Sequence, residues 1–354
     1  MRIAGVASEF PEYSYPQEVI TAALKEHWGA KLERPGLIER LHSRAGVKRR
    51  YLAYPIERYA QFQNWGETNA AWVEAAQSLG ARAIDRALER AGLERCDLDA
   101  LYIVSITGIA SPSLDAKLIN KMGLRPDLKR TPIFGLGCVG GAIGLVRAAD
   151  YVRAFPNQTA AILSVELCSL TIQRDDISTV NLISSGLFGD GAVAAVLVGS
   201  ERSRDEPAET LPEIISTRSV FYPGTEDIMG WDISEKGFSI VLSPKLPDLI
   251  RCHLAGDVDA FLRDNRLARG DIGNWVIHPG GPKILQAVES ALGFGDRELG
   301  VSWDCLSQVG NLSSGSVLCV LEETIEHRRP APGTMGLILA MGPGFCSELL
   351  LVRW

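Results

Sequence analysis

Three side chains of different chemistry occupy positions from which they could act together on a reacting group. Cys138 follows Gly137 and precedes small residues and an apolar helical pattern that runs to Arg147. A thiol at a helix N-terminus lies at the positive end of the helix dipole, which lowers its pKa and favours the nucleophilic thiolate. His278 could assist that thiol, and the neutral amide of Asn311 can donate to a developing oxyanion. The set is typical of acyl transfer onto sulfur and of decarboxylation through an enolate.

Each of these residues also has an ordinary structural interpretation. A buried cysteine is usually an inert small hydrophobe, and a single asparagine can simply cap a helix. Cys138 differs because glycines surround it, and His278 because it ends an apolar strand and precedes a Pro-Gly-Gly loop. We interpret the remaining cysteines and histidines as structural: Cys96, Cys168, Cys252, Cys305, Cys319, Cys346, His27, His42, His253 and His327.

An internal repeat relates the positions of these residues. A helix candidate, a turn, an aspartate and a short apolar strand occur at Asp97 and again at Asp271, an offset of 271 − 97 = 174. The glycine-rich segments at Cys138 and Asn311 are related by nearly the same offset, 311 − 138 = 173. His278 then falls at the end of the strand equivalent to the one that ends near Val104. The repeat predicts that both Cys138 and Asn311 lie at the N-termini of buried helices.

The alternation of strand and helix patterns predicts an α/β fold with mainly parallel sheets covered by helices. We predict helices over Ala81–Ala91 and Asp257–Asn265, and two similar halves, residues 1–205 and 206–354. The charged segment Glu201–Thr210, interrupted by Pro207, marks the joint between them. The two small-residue helices should pack between the two sheets, since Gly, Ala and Ser allow close approach.

The bulk composition excludes several classes of protein. The 354 residues carry a net charge of −7 and no basic stripe, so nucleic acid is not an expected partner. No apolar run reaches the ~18 residues of a membrane span. Seven scattered cysteines without a secretory signal are typical of a reduced cytoplasmic protein. The His and Cys spacings predict no metal site.

One motif points to a different chemistry. Gly135, Gly137 and Gly140 match the G-x-G-x-x-G fingerprint of dinucleotide-binding folds, and a later strand ends at the acidic Glu166. The fingerprint lies in mid-chain, its acidic residue is further away than the usual ~20 residues, and it leaves His278 and Asn311 unexplained. An NAD(P)-binding oxidoreductase is therefore a distant alternative. A non-catalytic acyl-binding protein is a third, which the intact Cys/His/Asn set disfavours.

Several blocks in order along the chain resemble the type III polyketide synthases, the chalcone-synthase-like branch of the thiolase superfamily. The blocks are Gly135-Leu-Gly-Cys-Val-Gly-Gly141, Gly186-Leu-Phe-Gly-Asp-Gly-Ala192, Ile277-His-Pro-Gly-Gly-Pro282, Gly310-Asn-Leu-Ser-Ser314 and Gly342-Pro-Gly344. The resemblance implies a duplicated, layered αβαβα thiolase-like fold, a homodimer, and no metal or organic cofactor beyond the CoA of the substrates. It implies that Cys138 carries the starter and the growing chain, while His278 and Asn311 drive malonyl-CoA decarboxylation.

A close alternative is a ketoacyl synthase III, which performs a single condensation with the same three residue types. Its histidine usually lies in a His-Gln-Ala-Asn context, whereas His278 is followed by Pro-Gly-Gly.

The resemblance assigns roles to further positions. Phe188 matches a gatekeeper between the CoA tunnel and the cavity, and Ile240 replaces a second gatekeeper that is phenylalanine in plant enzymes. The cavity and loop positions are Thr171, Ser313, Met341, Gly342, Pro343 and Gly344. Arg40 and Arg44 match basic residues that meet CoA phosphates.

Two of these positions suggest a starter. Trp231 stands where plant enzymes have a small cavity glycine, in a segment that resembles the bacterial branch acting on fatty acyl starters. Together with Ile240 it would line the cavity with apolar groups. The sequence therefore predicts fatty acyl-CoA priming, extension with malonyl-CoA, and closure to alkylpyrones or alkylresorcinols.

Overall fold

A computed structural model describes residues 1–32, 34, 36–202, 211–295 and 297–354. The boundary predicted between residues 205 and 206 lies outside the described residues and stays a prediction. The strands are β1 (Arg2–Glu9), β2 (Tyr13–Pro16), β3 (Arg49–Leu52), β4 (Ala100–Val104), β5 (Lys129–Ile133), β6 (Thr159–Leu167), β7 (Asp190–Val198), β8 (Glu213–Phe221), β9 (Met229–Ser234), β10 (Gly237–Leu242), β11 (Ile272–Ile277), β12 (Met335–Gly342) and β13 (Cys346–Arg353).

The helices alternate with these strands in much of the chain, as the patterns predict, but the described residues place no helix from β7 to β10 and three helices between β11 and β12. They are α1 (Gln17–Trp28), α2 (Leu37–Ser43), α3 (Ile56–Tyr59), α4 (Trp65–Arg90), α5 (Leu114–Met122), α6 (Gly140–Ala154), α7 (Thr179–Leu187), α8 (Leu246–Asp264), α9 (Pro282–Leu292), α10 (Gly300–Val309) and α11 (Ser316–His327). The predicted helices over Ala81–Ala91 and Asp257–Asn265 are the C-terminal parts of the longer α4 and α8.

The main sheet joins two half-sheets edge to edge. Its strand order is β11-β12-β13-β8-β1-β7-β6-β4-β5. The first four strands form one half-sheet and the last five form the other, and β8 and β1 meet at the joint. The pairing of β1 with β8 is confined to Arg2 and Glu213 in the described residues. Main-chain bonds from Ile3 to Pro212 (2.9 Å) and from Ile214 to Met1 (3.0 Å) flank it. The duplication predicts two sheets. In the structure they form one sheet, because the short pairing of β1 with β8 connects them.

Three apolar layers cover and separate the half-sheets. One face of β1, β4, β6 and β7 packs against α4 and α5. Their other face packs against α6 and α11, which also bury residues of β11, β12 and β13. The far face of β11, β12 and β13 packs against α8 and α9. This order of helix, sheet, helix, sheet and helix confirms the predicted layered αβαβα fold.

The sheet is mixed, so the prediction of mainly parallel sheets is wrong. β4 is parallel to β5 and β6, and β11 to β12, but β7 and β13 are antiparallel to their neighbours. The reason in the C-terminal half is local. Pro343 and Gly344 (φ +71°) turn the chain back after β12, and a hairpin produces antiparallel strands.

The repeat is real, but one pairing predicted from it is wrong by three residues. α6 and α11 begin at Gly140 and Ser316, and each follows a single 3₁₀ turn, Gly137–Val139 and Ser313–Gly315. The offset between these elements is 316 − 140 = 176. Cys138 therefore corresponds to Ser314, since 138 + 176 = 314, and Asn311 precedes the equivalent turn.

No helix in the described part of the chain is long and apolar enough to cross a bilayer.

Candidate active site

The sulfur of Cys138 lies in a tight turn between β5 and α6. Gly137 reaches this turn with φ +50°, a conformation that favours glycine. A Cβ at Gly137 would come within 2.7 Å of the Pro343 side chain. Cys138 is 8% exposed, and its Sγ faces Ser313 Oγ at 3.9 Å. The turn thus places the thiol between the two halves, at the start of the buried helix α6.

Asn311 lies in the connection between α10 and α11, and hydrogen bonds fix its side chain on both sides. Its Oδ1 accepts from the backbone N–H of Ser313 at 2.8 Å and from Ser316 Oγ at 3.2 Å. Its Nδ2 donates to the carbonyl oxygen of Gly280 at 3.2 Å. The acceptor end is therefore saturated within the loop, while the donor end faces the segment that follows His278.

His278 follows the last residue of β11, as the sequence predicts. Its backbone N–H donates to the carbonyl of Leu339 in β12 at 2.9 Å, which holds the residue at the carboxyl end of the sheet. The side chain is buried, yet neither Nδ1 nor Nε2 has a hydrogen-bond partner among the described residues. A buried imidazole without partners is unusual and leaves both nitrogens available to a substrate.

Burial governs the protonation of these groups. It lowers the pKa of His278 to about 3, so the imidazole is neutral at ordinary pH. It also raises the pKa of the Cys138 thiol to about 12, and the carboxylate of Glu166 acts in the same direction. Hydrogen bonds from Ser313 and Asn311 oppose this shift without overcoming it. The lowered thiol pKa expected from the helix dipole is therefore not found, since desolvation by burial makes the largest contribution and raises the pKa.

Glu166 belongs to this environment, although in the sequence it stands out only as the acidic residue of a candidate dinucleotide fingerprint. It is fully buried at the end of β6 and accepts from Ile106 N (3.1 Å), Thr107 Oγ1 (2.8 Å), Ser105 Oγ (3.3 Å) and Ser314 Oγ. Burial raises its pKa to about 7. A single carboxylate inside the mainly apolar strand β6 is the signal that could have identified it.

Gly140 of that fingerprint and the adjacent Gly141 serve packing. A Cβ at Gly141 would lie 2.1 Å from the carbonyl oxygen of Ser314, and one at Gly140 would lie 2.6 Å from Val104. Gly140 and Gly141 let α6 approach β4 and α11, so no space for a pyrophosphate remains against these two residues.

Four of the predicted cavity and loop residues lie next to the catalytic candidates. Phe188 pairs with Asn311 in an isolated parallel bridge, and Ser313 faces the thiol. Pro343 packs on Gly137. A Cβ at Gly342 would lie 2.6 Å from the carbonyl of Leu136, so the end of β12 lies directly against the Cys138 turn. Met341 is buried in the same strand, and Gly344 completes the hairpin turn.

The other predicted cavity residues lie on or beside the β9–β10 hairpin. Trp231 and Ile240 are directly opposite each other across this hairpin, and the Trp231 ring lies 5.9 Å from that of Phe238. Gln173 Nε2 bonds the carbonyls of Thr171 (3.1 Å) and Phe238 (3.1 Å), which ties the hairpin to the Thr171 segment. Thr171 also lines a groove of about 1450 Å³ that is lined by neither Trp231 nor Ile240.

Arg40 and Arg44 are exposed at the C-terminal end of α2. This helix packs on α7 through the buried His42, whose Nε2 lies 3.1 Å from the Leu182 carbonyl and 3.2 Å from Ser185 Oγ. Neither arginine has an ion pair among the described residues, so both charges are available to an anion.

Comparison with known proteins identifies the family. Residues 15–202 match the N-terminal domain of the chalcone and stilbene synthases, and residues 213–354 match their C-terminal domain. The chain is 48% identical to a 1,3,6,8-tetrahydroxynaphthalene synthase of Streptomyces peucetius subsp. caesius, over 99% of this chain and 93% of that protein. It is 37% identical to a putative chalcone synthase of Bacillus subtilis (strain 168), over 89% and 86%.

Solved structures agree with these matches. The crystal structure of the 1,3,6,8-tetrahydroxynaphthalene synthase of Streptomyces coelicolor A3(2), a bacterial type III polyketide synthase, superimposes with a TM-score of 0.92 at 29% identity. The superposition covers 100% of this chain and 99% of that one. These matches favour a type III polyketide synthase over both the oxidoreductase and the ketoacyl synthase III alternatives. The chain belongs to the chalcone and stilbene synthase family and is a type III polyketide synthase.

Proposed function

We propose that this polyketide synthase builds its product from malonyl units alone, with 1,3,6,8-tetrahydroxynaphthalene as the expected product. The observation that carries the proposal is the 48% identity to a synthase of that compound over 99% of the chain. Every carbon atom of a tetrahydroxynaphthalene lies in its two rings, so the skeleton retains no alkyl or aryl group from a larger starter. This proposal replaces the fatty starter as the leading hypothesis.

In the proposed mechanism, Cys138 carries the acyl chain as a thioester. The malonyl thioester loses carbon dioxide, and its bonding electrons form an enolate whose oxygen accepts hydrogen bonds from His278 and Asn311. The enolate carbon attacks the carbonyl carbon on Cys138, and the thiolate leaves. Neutral donors in a buried site suit this step, since they stabilise developing charge without needing a counter-ion of their own.

The same burial explains how we expect the thiol to be activated. A thiolate alone is disfavoured, because burial raises the pKa of Cys138 to about 12. An imidazolium alone is disfavoured as well, because burial lowers the pKa of His278 to about 3. Transfer of the proton from sulfur to imidazole creates both ions together, and each then stabilises the other. We propose that the nucleophile is a Cys138/His278 ion pair, whose formation requires the thiol to reach an imidazole that has no hydrogen-bond partner among the described residues.

Fatty acyl-CoA priming with closure to an alkylpyrone or alkylresorcinol is the second candidate. The pairing of Trp231 with Ile240, with Phe238 beside them, favours it, because these side chains make an apolar surface on one hairpin. Arg40 and Arg44 are proposed to bind CoA phosphates in either case. The homodimer and the cytoplasmic location remain predictions.

Product analysis by mass spectrometry tests the proposal. The purified enzyme receives malonyl-CoA alone, and in parallel malonyl-CoA with starters from acetyl-CoA to palmitoyl-CoA. We expect a tetrahydroxynaphthalene from malonyl-CoA alone, which disappears in Cys138→Ala and persists in the buried-cysteine control Cys305→Ala. Products that form only after a fatty acyl-CoA is added would replace the leading proposal by the second candidate. Synthesis that survives in Cys138→Ala would overturn the assignment of the nucleophile.

A further inference from the structure

Three successive carbonyl groups at the end of α7 are all held by hydrogen bonds from outside that helix. They belong to Gly186, Leu187 and Phe188, the segment that pairs with Asn311. Their donors are Gln17 Nε2 (2.6 Å), the backbone N–H of Asn311 (2.9 Å) and Arg50 Nη1 (2.7 Å), in that order. The carbonyl that binds Asn311 is therefore flanked by two carbonyls that are fixed by buried side chains.

Gln17 and Arg50 act as one unit, although they come from different elements. Gln17 is the first residue of α1 and Arg50 belongs to β3. Arg50 Nε donates to Gln17 Oε1 at 3.0 Å. Both residues are buried: Arg50 is 1% exposed and Gln17 is 5% exposed. Burial lowers the pKa of Arg50 to about 10, while Asp190 opposes the shift, so the guanidinium keeps its charge at neutral pH. A charged donor makes the stronger hydrogen bond to a carbonyl.

The bonds to this segment determine the backbone position of Asn311. Its N–H donates to Leu187, and its own carbonyl accepts from Gly189 N–H at 2.9 Å. The preceding Gly310 has φ +75°, and a Cβ there would lie 2.8 Å from the Leu187 carbonyl and 3.2 Å from Arg50 Cδ. Arg50 therefore packs directly against the residue that leads into Asn311. A shift of the 186–188 segment would move the Asn311 backbone and, with it, the amide.

We propose that Gln17 and Arg50 are positioning residues for the decarboxylation step, acting through the 186–188 segment on the amide of Asn311. The inference rests on the proposed role of Asn311 in that step. A displacement of ~1 Å in a catalytic group can cost about 100-fold in rate, so loss of either side chain should slow decarboxylation by about 10- to 100-fold. Acylation of Cys138, which needs no malonyl decarboxylation, should change much less.

The test compares two steps in the same purified variants. Release of carbon dioxide from malonyl-CoA measures decarboxylation, and the rate of iodoacetamide alkylation of Cys138 measures the nucleophile. We expect Gln17→Leu and Arg50→Gln to lower kcat for decarboxylation with KM for malonyl-CoA nearly unchanged and alkylation unaffected. Arg50→Lys, which retains a charged donor, should recover part of the rate. Arg90→Gln removes another partly buried arginine, one that bonds Val6 and Glu322, and should leave both steps unchanged.

A double-mutant cycle separates the possible results. In an Asn311→Ala background, Arg50→Gln should cause no further loss of decarboxylation, because its effect passes through Asn311. Equal losses in decarboxylation and alkylation, or full additivity with Asn311→Ala, would overturn the inference and leave a general structural role. If Asn311→Ala itself decarboxylates normally, the proposed role of Asn311 fails, which is a separate outcome from the failure of Arg50→Gln alone.

Discussion

Asn311 donates its side-chain N–H to the carbonyl oxygen of Gly280, two residues beyond His278. This bond connects the segment between α10 and α11, two residues before its 3₁₀ turn begins, to the loop that carries the imidazole. It occupies one of the two amide N–H groups and directs the other toward the Cys138 side of the site, where the asparagine lowers the pKa of the thiol. The role of Asn311 is thus that of an oriented donor.

Replacement of this donor by an isosteric acceptor should disable the site. Asn311→Asp retains the oxygen that binds Ser313 and Ser316 but places a second oxygen opposite the Gly280 carbonyl. We expect decarboxylation of malonyl-CoA to fall by roughly 100-fold or more, the cost of losing one oxyanion donor. Asn69→Asp is the control, since Asn69 makes an equivalent pair of backbone bonds to Ile109 on the surface. Decarboxylation within threefold of the parent enzyme would contradict the assignment.

Loss of the Glu166 charge should make the nucleophile more reactive. The ionised carboxylate opposes thiolate formation at Cys138 by like-charge repulsion, so Glu166→Gln should lower the pKa of the thiol. The measurement is the pH profile of iodoacetamide alkylation, which we expect to move to lower pH in the variant. A profile that does not move would mean that Glu166 is protonated or screened throughout the range.

The Glu166 carboxyl group should also make the free energy of unfolding depend on pH. Its folded pKa is about 7, above the ordinary 4.5, so between these values the folded protein retains a proton that the unfolded chain releases. The free energy of unfolding should therefore fall as pH rises through this window, and Glu166→Gln should remove that part of the slope. Denaturant unfolding at pH 4.5 to 7.5 measures it. An unchanged slope in the variant would argue against a raised Glu166 pKa.

His278 should control the reactivity of Cys138 if the two form an ion pair. In His278→Ala the thiol has no proton acceptor, so alkylation at pH 7 should be slower and its pH midpoint should rise. His253 of α8, which packs on Tyr222, provides the control variant His253→Ala. Equal alkylation rates in the parent enzyme and in His278→Ala would rule out the pair.

The close approach of α6 and α11 predicts opposite effects of one substitution at two helical glycines. Gly141→Ala would place a Cβ 2.1 Å from the Ser314 carbonyl, and such overpacking costs about 1–3 kcal/mol. Gly256→Ala adds a Cβ with nothing within 4 Å in the exposed part of α8 and should stabilise by roughly 0.5–1 kcal/mol. Chemical denaturation of both variants measures the contrast. Equal effects would mean that α6 can move away from α11.

The family resemblance predicted the layered αβαβα fold. The strand and helix patterns alone predicted two similar halves with small-residue helices packed between two sheets. The approximate places of Cys138 and His278 were predictable from the same patterns. The patterns did not predict strand direction, because a hairpin such as that at Pro343 is decided by a few turn residues. They also misaligned Asn311 with Cys138, because each of these residues follows a glycine. The 3₁₀ turns, which show the correct alignment, cannot be recognised in the sequence.

The contributions of Gln17 and Arg50 were beyond prediction for a different reason. Gln17 and Arg50 act through contacts with residues more than a hundred positions away, such as Gly186 and Phe188, and local periodicity carries no information about such contacts. The pKa of Cys138 was mispredicted because the helix end is visible in a sequence, whereas the depth of burial is not.

The joint between β1 and β8 has a consequence for how the enzyme acquires its activity. Cys138 lies on one side of it and both His278 and Asn311 on the other, so each half can form its strands and helices without forming an active site. Docking of α6 against α11 is the event that brings the thiol to its partners. Activity should therefore be the last property to return during refolding and the first to disappear during gradual unfolding, ahead of any change in helix content.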